Sequence, residues 1–126
     1  MAAASTYLAN KLLDHALGVN NFTMPNPVYV ALNTSDPTAA GDNTEYSGGS
    51  YARHAASFST AIDAATSNPG IITFNSLGVT TITHVSIWDA STAGNMLFFG
   101  ELNDPITTAN GDNLNFDAGD LDLAIA

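Results

Sequence analysis

The sequence predicts a mainly β protein: an antiparallel β-sandwich, jelly-roll-like, of seven or eight strands with one N-terminal α-helix. From residue 28 onward, short runs rich in β-branched and aromatic residues alternate with clusters of Gly, Asn, Asp and Pro. Apolar residues recur at helical spacing only in the first 17 residues. A length of 126 residues with 45% hydrophobic content fits one domain, which we assign to residues 1–126.

The helix is expected at about residues 5–17. Ser5 or Thr6 can cap its first turn, and Gly18 stands where a helix ends in a left-handed residue. A helix of about three turns is marginal by itself, so its apolar stripe must dock on another element. The residues of that stripe are Leu8, Leu12, Leu13, Ala16 and Leu17.

The strands are predicted between turn signals. The longest run, 79–88, places Ile82, His84, Ser86 and Trp88 on one face, with Thr83, Val85 and Ile87 on the other. The turn at 89–94 makes 95–100 its hairpin partner, and the polar, Gly-rich stretch 38–50 is expected to be an exposed loop. The other predicted strands are 28–32, 51–58, 71–74, 106–108, 114–116 and 121–125.

The charge is one-sided. Twelve Asp and Glu stand against two basic residues, Lys11 and Arg53, for a net charge of −10. Such a chain repels phosphate groups, so neither nucleic acid nor an anionic membrane is expected as a partner. The sequence also has no cysteine, which leaves the redox compartment undetermined. It has no apolar run long enough to cross a membrane and no signal-peptide pattern at its start, so we expect synthesis in a cytoplasm.

No motif indicates catalysis. There is no GxSxG sequence, only two glutamates are present, and His15, His54 and His84 show no metal-binding spacing. We therefore expect no enzyme, no catalytic residue, no cofactor and no metal site.

Two binding alternatives remain open at this point. The segment 112–120 is rich in oxygen ligands but fails the EF-hand spacing, which leaves calcium at a multimer axis as the weaker possibility. Several aromatic residues of the strands and the helix are expected in the core, with a sugar-binding platform as the alternative. They are Tyr7, Tyr29, Trp88, Phe98 and Phe99.

Six segments then carry a resemblance that keeps its order along the chain. They are 7–15 (YLANKLLDH), 28–37 (VYVALNTSDP), 49–53 (GSYAR), 84–90 (HVSIWDA), 95–100 (NMLFFG) and 118–123 (AGDLDL). In these segments the chain resembles a family of small phage virion structural proteins, often loosely labelled tail-fibre or capsid-associated proteins. The resemblance implies a β-sandwich present in many copies in the virion, without catalytic residues.

Within that family we expect a capsid decoration (cement) protein. A tail fibre usually has an elongated shaft, whereas this length fits a compact sandwich. We expect a homotrimer on the capsid surface that binds the major capsid protein and stabilises the shell at capsomer junctions. The alternative is a compact tail or fibre-tip protein that binds a host receptor or carbohydrate. A cellular carbohydrate-binding domain is a third interpretation.

The candidate interface residues surround the second cation. They are Arg53, Tyr51, Glu45 and Tyr46. Arg53 has two expected roles, which the sequence does not separate: it pairs with a carboxylate across a subunit contact, or it forms an internal ion pair. The loop 38–50 is long for a hairpin, which is typical of a functional or a mobile segment.

Overall fold

The computed structural model describes residues 2–125, so the two terminal residues of the predicted domain lie outside it. One helix, α1, spans Thr6–Ala16. Among the described residues there are nine strands: β1 Ala3–Ala4, β2 Val28–Asn33, β3 His54–Ala56, β4 Ala65–Ser67, β5 Ile72–Leu77, β6 Thr80–Trp88, β7 Met96–Thr108, β8 Asp112–Phe116 and β9 Asp122–Ala124.

The strands form an antiparallel sandwich. A five-stranded sheet in the order β1-β7-β6-β2-β3 makes one layer, and the two-stranded ladders β4-β9 and β5-β8 make the other. Side chains of both layers meet in one apolar core, as the alternation of strand residues requires. The large sheet contributes Val30, Leu32, Ile82, Val85 and Ile87, and the ladders contribute Ile72, Phe74, Leu77, Leu114, Phe116 and Leu123. The predicted mainly β, antiparallel sandwich with one helix is confirmed, and its finer description as a jelly roll stays a prediction.

The helix begins and ends at the predicted signals. The Ser5 hydroxyl accepts a hydrogen bond from the Leu8 N–H at 3.1 Å and donates one to the Met96 carbonyl on β7. At the other end Gly18 has φ +76°, and the N–H groups of Gly18 and Val19 donate to the last-turn carbonyls of the helix. This arrangement of bonds is a Schellman motif, which only a left-handed residue allows.

The helical stripe docks less completely than its pattern predicts. Leu8 is buried, at 4% exposure, and Leu12 is half-buried. Leu13 and Leu17 are 59% and 75% exposed. The helix therefore attaches to the sandwich along one edge of its apolar surface.

Two short strands are absent from the sequence prediction. In β1, Ala3 and Ala4 pair with Phe99 and Phe98 of β7, while Ala2 bridges to Leu123 of β9. The N-terminal segment therefore hydrogen-bonds to both layers of the sandwich. The other unpredicted strand, β4, pairs with β9 after a tight turn in which Asp63 and Ala64 both have positive φ. Both strands are short, and both take partners distant in sequence.

The side chains of β6 depart at one point from strict alternation between the two faces of the sheet. Its pairing with β7 changes register between Ile82 and His84. Beyond that point the inward-facing positions are shifted by one residue, to Val85 and Ile87. Ile82 therefore points into the core beside Val85 and Ile87, at 0% exposure, and its predicted place on the face of Trp88 is wrong. A β-bulge accounts for the shift, because an unpaired residue turns the following side chains to the other face.

Other strand bounds also change. The run predicted at 51–58 is a strand only at His54–Ala56, and the runs predicted at 95–100 and 106–108 belong to one bent strand, β7. Pro105 and Asp104 lie within β7 where its pairing with β6 is interrupted. Proline lacks the N–H that a regular ladder needs, so it is tolerated at such an interruption.

The helix cap yields the first prediction. Replacing Ser5 with Ala removes the acceptor for the Leu8 N–H and the donor to Met96, both inside a buried environment. We expect a loss of about 1–2 kcal/mol in the free energy of unfolding, measured by urea denaturation. Ser59→Ala, at an exposed serine, is the control and should change it by less than about 0.5 kcal/mol. Equal stability of the two variants would contradict the assignment of the cap.

Candidate functional site

Arg53 lies at the centre of a side-chain cluster where three chain segments meet. Its Nη2 donates to Glu45 Oε1 at 2.9 Å and its Nε donates to Glu45 Oε2 at 3.0 Å, which makes the ion pair bidentate. Glu45 is placed by its segment's bridge to Asn33 at the end of β2. The Arg53 side chain is 7% exposed and that of Glu45 is 21% exposed, so the pair is largely withdrawn from water.

The remaining guanidinium donors bind the turn after β6. Nη1 donates to the carbonyls of Ala90 and Ala93 at 2.9 and 2.8 Å. The guanidinium carbon also lies 4.2 Å from the centre of the Trp88 ring, a cation–π contact. A planar fork with five donors can make all these contacts at once, which a lysine cannot.

Tyr51 completes this cluster. Its hydroxyl donates to Glu45 Oε2 at 2.6 Å and accepts from the Leu32 N–H at 3.1 Å. Its ring stacks on Phe74 of the core and meets the Tyr46 ring edge-on. Burial of the phenol, followed by its hydrogen bond to the Glu45 carboxylate, raises the pKa of Tyr51 far above its ordinary value. We call Glu45, Tyr51, Arg53 and Trp88 the Arg53 cluster.

A chain of hydrogen bonds continues from Trp88 across the outer face of the large sheet. The Trp88 Nε1–H donates to Ser86 Oγ at 2.8 Å, and that hydroxyl donates to Asn33 Oδ1 at 2.7 Å. Asn33 Nδ2 in turn donates to Thr44 Oγ1 at 3.1 Å. Asn33 and Ser86 are fully buried, so these partners replace the water that their polar atoms lose.

The chemistry of this site is therefore internal. Within residues 2–125 every buried side-chain nitrogen or oxygen has a hydrogen-bond partner in the protein. Within the same range no three His, Asp or Glu side chains are grouped so that they could hold a metal ion. The cluster fixes the loop 38–50 and the turn 89–94 against the sheet.

The predicted interface residues lie together. Glu45, Tyr51 and Arg53 contact one another, and Arg53 takes the internal role of the two that its sequence context suggests. Tyr46, within the loop expected to be exposed, is buried at 8% exposure, and its hydroxyl accepts from the Gly78 N–H at 2.9 Å. An open depression of about 350 Å³ lies beside them. Contact of these four residues with another chain stays a prediction.

The histidines occupy separate elements. His15 Nδ1 accepts from the Phe22 N–H at 3.1 Å, and thereby holds the segment after α1 against the helix. His84 Nδ1 shares a hydrogen bond with Thr83 Oγ1 on β6. His54, on β3, packs edge-on against the Phe74 ring. Each ring thus has a local packing or hydrogen-bonding role.

The aromatic residues considered for a sugar platform are divided between sites. Trp88 and Tyr7 line a small pocket of about 120 Å³ beside the start of the helix. One face of Trp88 is covered by Arg53. Phe98 instead lines a different cavity, beneath the helix.

That cavity, the apolar cleft, was not predicted from sequence. It opens between α1 and the end of the sandwich and encloses about 280 Å³. Its lining contains no ionisable side chain. Residues at its wall include Leu8, Leu12, Phe22, Pro25, Val28 and Ile125. Because these residues come from several different parts of the chain, no local pattern in the sequence announces the cleft.

Comparison with known families gives a match over nearly the whole described chain. The family model described as podophage GP4 fiber I protein gp80 matches residues 3–124. The chain belongs to this family. The resemblance to small phage virion structural proteins is thereby confirmed, and the protein is a phage virion structural protein.

The match spans both layers of the sandwich, the helix and every segment of the Arg53 cluster. A search of curated proteins finds no match to the chain. Within the part of the chain that the structure describes, no helix is long and apolar enough to cross a membrane.

The ion pair of this fibre-family protein yields the second prediction. Arg53→Met removes the guanidinium donors from two turn carbonyls and from the Glu45 carboxylate, which keeps its hydrogen bond from the Tyr51 hydroxyl, in a largely buried place. We expect a loss of about 3–5 kcal/mol in the free energy of unfolding by urea denaturation. Arg53→Lys should recover only part of it, because an ammonium cannot bind in the bidentate form. Lys11→Met, which removes an equal charge from an exposed site, is the control; a similar loss there would contradict the role of the cluster.

Tyr51 yields the third prediction. In the unfolded chain its phenol ionises near its ordinary pKa of 10.0, whereas in the folded protein the pKa is raised, so the folded state holds the proton longer. The contribution of Tyr51 to the free energy of unfolding is therefore complete below pH 10 and decreases as the pH rises above 10. Urea denaturation from pH 8 to 11 should show this decline in the natural protein and a smaller one in Tyr51→Phe. Parallel profiles would contradict it.

Proposed function

We propose that this virion protein is a compact module of the phage fibre, located at a fibre or tail tip and without catalytic activity. The observation that carries the proposal is the family match over residues 3–124, whose description is that of a fibre protein. Because the match includes both layers and the helix, it concerns the whole described domain rather than a fragment of it.

The geometry supports a mechanical role. The polar side chains of the Arg53 cluster are bound to one another and to backbone carbonyls, so they have few hydrogen-bonding groups left for a substrate. The Tyr51 phenol, whose pKa is raised, keeps its proton at neutral pH and donates a hydrogen bond to Glu45. A catalytic group, by contrast, needs a pKa near the working pH and an open approach for its substrate.

Receptor binding is the finer part of this proposal. The pocket between Tyr7 and Trp88 offers aromatic edges beside backbone groups of the 39–41 turn, a combination that suits a sugar ring of the host surface. Its small volume, about 120 Å³, fits one sugar unit at most. The polymer beyond that unit would lie along the neighbouring surface.

A second candidate is capsid decoration, with the protein on the capsid surface as a homotrimer bound to the major capsid protein. The feature that favours it is shape: residues 2–125 form a sandwich with a short helix, and no elongated shaft occurs among them. A protein of this form can bridge neighbouring capsomers and stabilise the shell by binding the assembled state. The net charge of −10 suits either exposed position, since it limits non-specific association.

Position in the virion separates the two candidates and is the fourth prediction. Cryo-electron microscopy of purified particles, with copy number from quantitative mass spectrometry, should place this sandwich on the fibres in tens of copies or fewer. Hundreds of copies ordered at capsomer junctions would contradict the fibre assignment and support decoration. Absence of the protein from purified particles would contradict both candidates.

A further inference from the structure

The helix carries more apolar surface than its docking uses. At about 100° per residue, the residues Leu8, Leu12, Ala16, Ala9, Leu13 and Leu17 fall within about half of the helical circumference. The polar residues Asn10, Lys11, Asp14 and His15 occupy the other half. A helix that docks on a single core needs an apolar stripe of about 100°. This apolar surface is wide enough for two contacts.

Among residues 2–125, only one of those contacts is made. Leu8 is buried against the sandwich and Leu12 lines the apolar cleft. Leu13 and Leu17, one helical turn apart, are 59% and 75% exposed and form a ridge pointing away from the core. The apolar surface continues past the helix, where Val19 and Met24 are 64% and 76% exposed. We call Leu13 and Leu17 the Leu13–Leu17 ridge.

The apolar cleft lies at the same end of the domain as the ridge, since Leu8 and Leu12 of α1 line it. It is open to solvent, it encloses about 280 Å³, and one of its wall residues, Ile125, is itself 64% exposed. Apolar surface left open in this way is typical of an association site. One chain thus presents both an apolar ridge and an apolar cavity that a branched side chain can enter.

We propose that the occupant of the cleft is a second copy of this chain, with the Leu13–Leu17 ridge of one copy seated in the apolar cleft of its neighbour. The inference rests on the proposed function only in that a fibre or decoration module is present in several copies. The contact itself is argued from the charge, shape and size of the two surfaces.

The absence of charge at this end permits contact between two copies there. Each chain carries a net charge of −10, so most contacts between two copies would bring carboxylates together. The ridge and the cleft lining have no ionisable side chain. Arg53, one of the two cations, is already paired with Glu45 inside its own chain, and is therefore not available to offset that repulsion.

The area of the apolar ridge, and the difference between ridge and cleft, determine the form of the assembly. On the ridge side, Leu13 and Leu17 with Val19 and Met24 expose on the order of 500 Å² of apolar surface. This is below the roughly 800 Å² per partner of a standard interface, so the polar surface around the ridge supplies the rest of the contact. Ridge and cleft are different surfaces, so the contact is heterologous and repeats from one copy to the next. A ring of such contacts that closes after three copies is the homotrimer proposed for capsid decoration.

Neutral substitutions test the ridge directly. Leu13→Gln with Leu17→Gln keeps the charge and the helix, and should raise the dissociation constant of self-association about 100-fold or more in sedimentation velocity experiments. Ile71→Gln with Val79→Gln is the matched control, because those residues are 59% and 77% exposed, close to the values of the ridge. The control should associate as the natural protein does.

Three outcomes would overturn the proposal. They are a natural protein that is monomeric at all accessible concentrations, a ridge variant that associates as before, and a control that dissociates as strongly as the ridge variant. Urea denaturation of each variant shows whether it is folded, so a loss of association is read only from folded protein.

Cross-linking tests which surfaces meet. The chain has no cysteine, so Leu17→Cys and Ile125→Cys, made in separate chains and mixed, can form a disulfide between them only across two copies. Mass spectrometry should detect the disulfide that joins positions 17 and 125 in excess over the mixed disulfide formed by Leu17→Cys with Val79→Cys. Equal yields would overturn the pairing of ridge with cleft.

The same proteins separate this inference from the proposed function. A monomer that nevertheless occupies its positions in the virion would remove the self-contact and leave the virion role intact. An oligomer linked through ridge and cleft but absent from purified particles would do the reverse.

Discussion

The bidentate ion pair between Arg53 and Glu45 is the constraint on which one end of this fold depends. A buried charge is costly unless its hydrogen bonds are complete, and here both nitrogens of the fork that face Glu45 are engaged. The same guanidinium binds the turn after β6 and covers Trp88. One side chain thereby fixes the loop 38–50, the entry to β3 and the turn 89–94 relative to each other.

Such connections matter because the second layer of the sandwich is divided. The ladders β4-β9 and β5-β8 are not hydrogen-bonded to one another as strands, so contacts outside the strands join them. Asn68 does this where they meet: its Nδ2 donates to the Gly70 and Asp117 carbonyls, and its Oδ1 accepts from the Leu121 N–H. Asn68 is 1% exposed, so these bonds are protected from water. The fold therefore relies on a few buried polar residues as much as on its strand ladders.

The parts of the fold that the sequence predicts are those with local signals. The α1 cap, the glycine after it and the hairpin of β6 with β7 depend on residues a few positions apart. The strands β1 and β4 and the bulge near Ile82 depend on partners distant in the chain, and no local pattern indicates them. At the site, the scarcity of basic residues in the sequence indicates Arg53 as a candidate. An internal ion pair is one of the two roles expected for it. Its bonds to Ala90 and Ala93 involve backbone carbonyls, which carry no residue-type signal.

The pairing of Ala2 with Leu123 has a topological consequence. The Ile125 N–H also donates to the Ala64 carbonyl, so residues 2 and 125 both belong to the edge at which the two layers are joined. Because these residues are close together, a short linker from residue 125 to residue 2 would give a circularly permuted form of the domain, with the chain opened elsewhere. The turn at Asp63–Ala64 is exposed and is one place where the chain could be opened. A break there would separate β4 from the residues that precede it in the sequence. Segments attached before residue 2 and after residue 125 would accordingly emerge from the same edge of the domain.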